Sequence, residues 1–167
     1  MNRKQKIFTE IYNKYIDKIY RFIFLRVNSE EKAQDLCSET FLKAWKTFNN
    51  KEKKVDNYQS FLYQIARNLI IDFYRKKSRT QIVPIEELNI SDPAQDLENK
   101  TLINSDIKEV QTILTTLKQD YQDIIIWYYI EELSISEIAQ ILNKSEGATR
   151  VMLHRALNAL RDKIQES

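Results

Sequence analysis

Apolar residues near the start of the chain recur at Phe8, Ile11, Tyr12, Tyr15, Ile19, Phe22 and Ile23. Steps of three and four predict one face of a helix over roughly Lys4–Arg26. Asn28, with Glu31 three positions on, reads as a cap for the next helix. That helix carries Ala33, Leu36, Cys37, Phe41, Leu42 and Trp45 at helical spacing, with Leu42 counted in its buried stripe. The polar stretch 49–57 reads as a loop. A third helix follows, with Phe61, Leu62, Ile65, Ala66, Leu69, Ile70 and Phe73 inward, and it ends in the basic run Arg75–Arg79.

The pattern breaks between Gln81 and Asp96, where both prolines fall among several acids. Proline and the residue before it resist helix, so this segment reads as a linker. Leu97–Leu117 returns to helical spacing, with Ile107, Val110, Ile113 and Leu114 available for burial. Asp120 reads as the cap of a short apolar helix over Tyr121–Glu131. Ser134 with Glu137 forms a capping box that opens another, ending near Leu142. Asn143-Lys144-Ser145 makes a turn, since Asn tolerates the left-handed conformation that ends helices. Ser145 then caps a longer final helix to about Ile164. Two helices joined by three or four residues, the second longer and basic, are the pattern of a helix-turn-helix.

Composition agrees with helices and narrows the chemistry. One glycine and two prolines in 167 residues leave little for glycine-rich phosphate loops or β-rich folds. A single cysteine and a single histidine, Cys37 and His154, make a disulfide scaffold or a Cys/His metal site an unlikely design. No cofactor is expected. The longest apolar run, Ile124–Ile130, is far too short to cross a bilayer, and the N-terminus has no signal-peptide pattern. These features predict a cytoplasmic protein without membrane insertion.

Charge is placed unevenly. Residues 1–80 carry eighteen Lys/Arg against nine Asp/Glu, whereas residues 81–120 carry three against eight. A basic half of this kind suits a polyanion.

Three segments together carry a family resemblance. Leu133–Ile164 resembles the region 4 helix-turn-helix of bacterial RNA polymerase sigma factors of the sigma-70 family. Lys32–Phe48 resembles the core-polymerase-binding helix of their region 2, and Ser60–Arg79 the promoter-melting segment after it. They occur in family order, and the length leaves no room for regions 1.1 or 3, as in the extracytoplasmic-function (ECF) type.

The resemblance implies an all-α chain of two small helical domains: 1–80 like region 2, a linker at 81–104, and 105–167 like region 4. It implies core RNA polymerase and promoter DNA as partners, an anti-sigma factor as regulator, and no catalysis by the chain itself. On the second helix, Asp35, Ser38, Glu39 and Lys43 lie off the buried stripe and map to the polymerase-docking face, where carboxylates aid encounter and register. The plain alternative is a solvated charged face. Ser38 stands where the family often has glutamine.

On the third helix, Arg67, Asn68, Ile71 and Arg75 map to the upstream edge of the minus-ten element, and Lys76, Lys77 and Arg79 to duplex phosphates. Tyr58, Phe61, Tyr63 and Tyr74 supply rings on which unpaired bases stack. Phe61 reads as core, while Tyr58 and Tyr63 stay open between core and base. Asp72 with Arg75 also fits a local ion pair.

On the last helix, Ala148, Thr149, Leu153, Ala156, Leu157 and Leu160 face inward. Arg150, Val151, His154 and Arg155 project from the half that enters a major groove, arginine towards guanine and Val151 towards a thymine methyl. Lys144 and Ser145 would hold phosphate. Thr149, Met152 and Asn143 depart from the usual family residues, which leaves the preferred DNA sequence unread.

Three rivals remain: a stand-alone helix-turn-helix regulator, a nucleic-acid enzyme, and a sigma-like protein that no longer initiates. The regulator has no need of the basic residues 67–79. The enzyme would need clustered acids for a metal.

Overall fold

The computed structural model describes residues 1–79 and 105–166, so the expected linker 81–104 lies outside the described residues. The described chain is helical: α1 (Arg3–Val27), α2 (Glu30–Asn49), α3 (Tyr58–Arg79), α4 (Ser105–Leu114), α5 (Gln119–Ile125), α6 (Ile135–Leu142) and α7 (Glu146–Glu166). A π-helical turn, Ile126–Ile130, continues α5.

Local chemistry sets these ends. Asn2 and Gln5 cap α1 reciprocally, at 2.8 and 3.0 Å. Asn28 closes α1 instead of opening α2. Its backbone is left-handed, with φ 55°, and its N–H donates to the Phe24 carbonyl. Asparagine is one of the few residues that tolerate this conformation. Ser29 is the cap of α2, its Oγ accepting from the Lys32 amide at 3.3 Å.

The expected capping box of α6 is present, with Ser134 Oγ accepting from the Glu137 amide at 3.1 Å and Glu137 accepting in return at 3.0 Å. Asn143 ends α6 at φ 54°, and Ser145 Oγ accepts from the Ala148 amide at 3.1 Å to open α7. Asp120 makes no cap. α5 begins after Lys118, which provides no side-chain cap bond, and Asp120 is turned towards α3.

Helices α1, α2 and α3 pack on one another, and α4, α5 and α6 pack around α7. These are the two modules that the pattern predicted. They are not held apart: α6 lies on α3, and the π turn meets α1. The buried side chains form one continuous cluster across both modules. At its centre the Trp127 ring stacks on Phe22 at 5.3 Å and meets the edge of Tyr63 at 5.9 Å. All three rings are fully buried. The π turn sits at this seam. Ile126 and Trp127 point into the core, while Tyr128 and Tyr129 are exposed. A one-turn π segment re-aims side chains in this way by inserting a residue into the helical ladder.

Several positions differ from the periodicity reading, Tyr12 on α1 among them at 41% exposed. Leu42 is 53% exposed, and Phe41 and Ala44 take the inward places on α2. Val110 is exposed as well. A stripe broad enough to hold Cys37, Phe41 and Ala44 leaves Leu42 on the opposite side of the helix.

These placements predict stability differences. Ile70→Ala removes methylenes from a fully buried site and is expected to lower the unfolding free energy by about 2–5 kcal/mol. Leu42→Ala is expected to change it by less than about 0.5 kcal/mol. Urea titration followed by far-UV circular dichroism measures both, and comparable losses would place Leu42 in the core.

Candidate nucleic-acid and polymerase interfaces

Among the described residues, none covers the outer face of α2. Asp35, Ser38, Glu39 and Lys43 are all exposed, and Leu42 lies among them. Periodicity assigned Leu42 to the core and so missed an apolar centre in a polar face. A charged rim around an apolar residue is the usual make-up of a protein-docking patch. Cys37 is buried on the other side, and burial pushes its thiol up to about 11, so it is packing and not a nucleophile.

The α3 residues divide into two sets. Asn68, Arg75, Lys76, Lys77 and Arg79 are exposed along the helix and its basic end, with Ile71 half-buried beside them. Arg75 lies 3.7 Å from Asp72, a spacing at which the local pair costs little to exchange for another anion. Lys77 sits over the Phe73 ring at 5.9 Å.

Arg67 is different. Its Nη2 donates to Asp120 at 2.9 Å and its Nε to Asp123 at 3.2 Å, so it faces α5 and not open solvent. Among the rings, Tyr63 is core, with its raised phenol the result of burial first and of Glu131 second. The Tyr74 hydroxyl donates to the Arg26 carbonyl. Phe61 packs half-buried against the core cluster. Tyr58 is half-buried, edge-on to Phe48 at 5.9 Å. Tyr63 alone of the four rings is fully buried; Tyr58, Phe61 and Tyr74 each keep a partly exposed edge.

The helix-turn-helix presents what its sequence predicts. Arg150, Val151, His154 and Arg155 are exposed on the first turns of α7, and Lys144 and Ser145 are exposed in the turn before it. Thr149, Leu153 and Ala156 are buried against α4–α6. Ala148 faces out, contrary to the inward place expected for it. It lines a shallow concavity of about 420 Å³ with Lys118, Lys144, Val151 and Arg155. Arg150 is only loosely tied, 3.5 Å from Glu146, and His154 Nε2 lies 3.3 Å from the Asn158 amide. The basic groups are therefore available to an anion, and the outward small residue at 148 leaves room for a backbone to approach.

Sequence reasoning missed a set of charged residues between the modules. Arg26 is 1% exposed and Asp123 likewise 1%. Arg26 Nε lies 3.1 Å from Asp123 Oδ1, and its Nη2 donates to Gln119 at 3.2 Å. Arg21 forks onto the buried Glu131 at 2.7 and 2.8 Å. The available signal was a charge inside an apolar run: Arg26 interrupts Phe22–Val27, and Asp123 directly precedes Ile124–Ile130. Such a residue is buried only when it has a partner.

Among the described residues no group of His, Cys, Asp and Glu is placed to hold a metal ion, and no helix is long and apolar enough to cross a membrane.

Both modules have counterparts among known proteins. The Sigma-70 region 2 family model matches residues 11–80, and the Sigma-70 region 4 model matches residues 107–160. The chain is 31% identical to the ECF RNA polymerase sigma factor SigM of Bacillus subtilis over 153 residues, covering 91% of both chains. It is 29% identical to SigW of the same organism, over 97% of this chain and 91% of that one. It is 28% identical to the ECF sigma factor BldN of Streptomyces coelicolor, over 92% of this chain but 58% of that longer one.

Two solved structures share the fold. One is the sigma factor RpoE in complex with the anti-sigma factor NepR from Bartonella quintana, with a TM-score of 0.71 at 21% identity over 96% of this chain and 98% of that one. The other is CnrH in complex with the cytosolic domain of CnrY, with a TM-score of 0.73 at 18% identity over 98% of this chain and 90% of that one. The chain belongs to the sigma-70 family, as an ECF-type RNA polymerase sigma factor that directs promoter-specific transcription initiation.

Proposed function

We propose a division of this activity over named surfaces. The α2 face of Asp35, Ser38, Glu39 and Lys43, with Leu42 at its centre, docks on core RNA polymerase. The α3 edge of Arg67, Asn68, Ile71 and Arg75 meets the minus-ten element, and Lys76, Lys77 and Arg79 meet flanking phosphates. Arg150, Val151, His154 and Arg155 read the minus-thirty-five element in the major groove, with Lys144, Ser145 and the α7 N-terminal amides on phosphate.

The observation that carries this reading is the coexistence of two basic faces with an exposed, apolar-centred patch on α2. A stand-alone regulator has use for the α7 face but not for the other two. The chain catalyses no reaction itself, acts in the cytoplasm beside the polymerase and needs no cofactor. The anti-sigma complexes among its fold neighbours support an anti-sigma factor as its regulator.

Two results follow. Arg150→Ala and Arg155→Ala are each expected to weaken promoter-dependent initiation by about 1–3 kcal/mol, the worth of a base contact, with polymerase binding unchanged. Run-off transcription on a cognate promoter measures this, and two variants as active as the parent would remove both residues from base reading. Asp35→Lys with Glu39→Lys is expected to abolish co-elution with core RNA polymerase on a sizing column while the helical signal is retained. Retained co-elution would move the docking face elsewhere.

A further inference from the structure

The concavity beside α7 gathers more positive charge than the helix-turn-helix supplies. Lys144 comes from the turn and Arg155 from α7, but Lys118 comes from the residue before α5, outside the helix-turn-helix segment. All three are exposed. Among the described residues, none of the three is ion-paired with a carboxylate. The acid on the rim, Asp120, is held by Arg67 at 2.9 Å, so its charge is already offset.

The lining suits a nucleic-acid strand more than an isolated ion. Ala148 faces out and adds no bulk, while Tyr121 and Met152 supply half-buried apolar wall. Cations at the edge of an apolar floor match a sugar–phosphate unit, with its oxygens on the ammonium groups and its deoxyribose against carbon. The volume of about 420 Å³ exceeds what a single phosphate fills.

Lys118 is set in place before any strand arrives. The buried Gln122 donates from Nε2 to the Leu117 carbonyl at 2.9 Å. The Lys118 carbonyl accepts from the Tyr121 and Gln122 amides, both at 3.0 Å. Its Nζ lies over the Tyr121 ring, 5.7 Å from the centroid, which keeps the ammonium at the edge of the concavity. A long side chain laid down in advance loses less freedom on binding. α5 also packs on α7, so Lys118 keeps a constant relation to the readers Arg150, Val151, His154 and Arg155.

We propose that Lys118 is a further DNA-contacting residue: with Lys144 it clamps a backbone phosphate of the minus-thirty-five duplex over Ala148, and so fixes the register of α7 in the major groove. This role rests on the assignment of α7 to the minus-thirty-five element. Two cations from separate elements, converging on one strand, constrain orientation as a single contact cannot. A phosphate is the same at every base pair, so Lys118 contributes affinity and register but no sequence preference.

The experiment uses the holoenzyme, the full chain on core RNA polymerase. Its probe is a labelled duplex carrying the minus-thirty-five element of a promoter that the holoenzyme transcribes. Fluorescence anisotropy over a range of salt gives the affinity and its salt slope. Losing one phosphate contact makes the slope of log K against log salt shallower by about 0.9, which is about 8-fold in affinity at about 0.1 M salt. Lys118→Gln is expected to show both changes, and to show them equally on a duplex with scrambled minus-thirty-five bases. Lys118→Arg keeps the charge and is expected to bind as the parent does. Lys163→Gln removes the same charge near the far end of α7 and is expected to change neither affinity nor slope.

Parent-like affinity and slope in Lys118→Gln would overturn the proposal. An equal loss in Lys163→Gln would do so too, by marking a diffuse field instead of a contact. Lys118→Arg as weak as Lys118→Gln would remove charge as the cause. Loss confined to the unscrambled duplex would make Lys118 a base reader and end its phosphate role. Arg150→Ala in the same assay separates the clamp from the assignment beneath it. If Arg150→Ala loses discrimination between the two duplexes while Lys118→Gln is silent, the α7 assignment stands and the clamp falls. If both variants are silent, the α7 assignment falls and the clamp with it.

Discussion

One carboxylate organises the join between the two halves of this molecule. Asp123 lies between Arg26 and Arg67, each oxygen facing one guanidinium at 3.1 and 3.2 Å. A buried arginine without a partner would be strongly destabilising, and so would a lone buried carboxylate. Each therefore constrains the others: Arg26 holds Asp123, Asp123 holds Arg67, and Arg67 ties α3 to α5. The Arg21–Glu131 fork, at the far end of the π turn, sets a second point. Two ionic points and a stacked Trp127 define how the modules meet. Non-directional apolar contact alone would leave sliding freedom.

Much of the fold was legible because it depends on local chemistry. The α6 capping box, the left-handed Asn143 and the Ser145 cap fix the helix-turn-helix from residues within a few positions of one another. The outward groups of α7 follow from the same geometry, which is why Arg150, Val151, His154 and Arg155 are where the pattern put them. Asn28 and Asp120 show the limit. Each is a residue type that caps helices, but Asn28 caps the end of a helix and not the start, and Asp120 has a distant partner, Arg67. A side chain that bonds its own backbone reads from sequence, whereas one that bonds across the molecule does not.

The same division explains the candidate sites. The α2 and α7 faces were legible because exposure is the default for polar residues on a helix. Leu42 escaped because composition marks it as core, although only a narrow stripe of α2 is covered. Tyr63 stayed open until its neighbours were known. Its ring suits a base as well as a core, and Phe22 and Trp127 decide between them. Arg67 is the sharpest case. Sequence placed it correctly on a basic helix face, yet nothing local announces Asp120 and Asp123, 53 and 56 residues away.

Both acids that hold Arg67 belong to the module that also carries the exposed basic groups of α7. In that module the acids that hold Arg67 lie on α5, and the exposed basic groups lie on α7. Asp120 stands between the two sets: it pairs with Arg67 and also borders the concavity of Lys144, Val151 and Arg155. α5 and α6 seek the cationic edge of α3, and α7 seeks phosphate. Arg67 is thus engaged within the molecule, while Arg150, Val151, His154 and Arg155 are exposed.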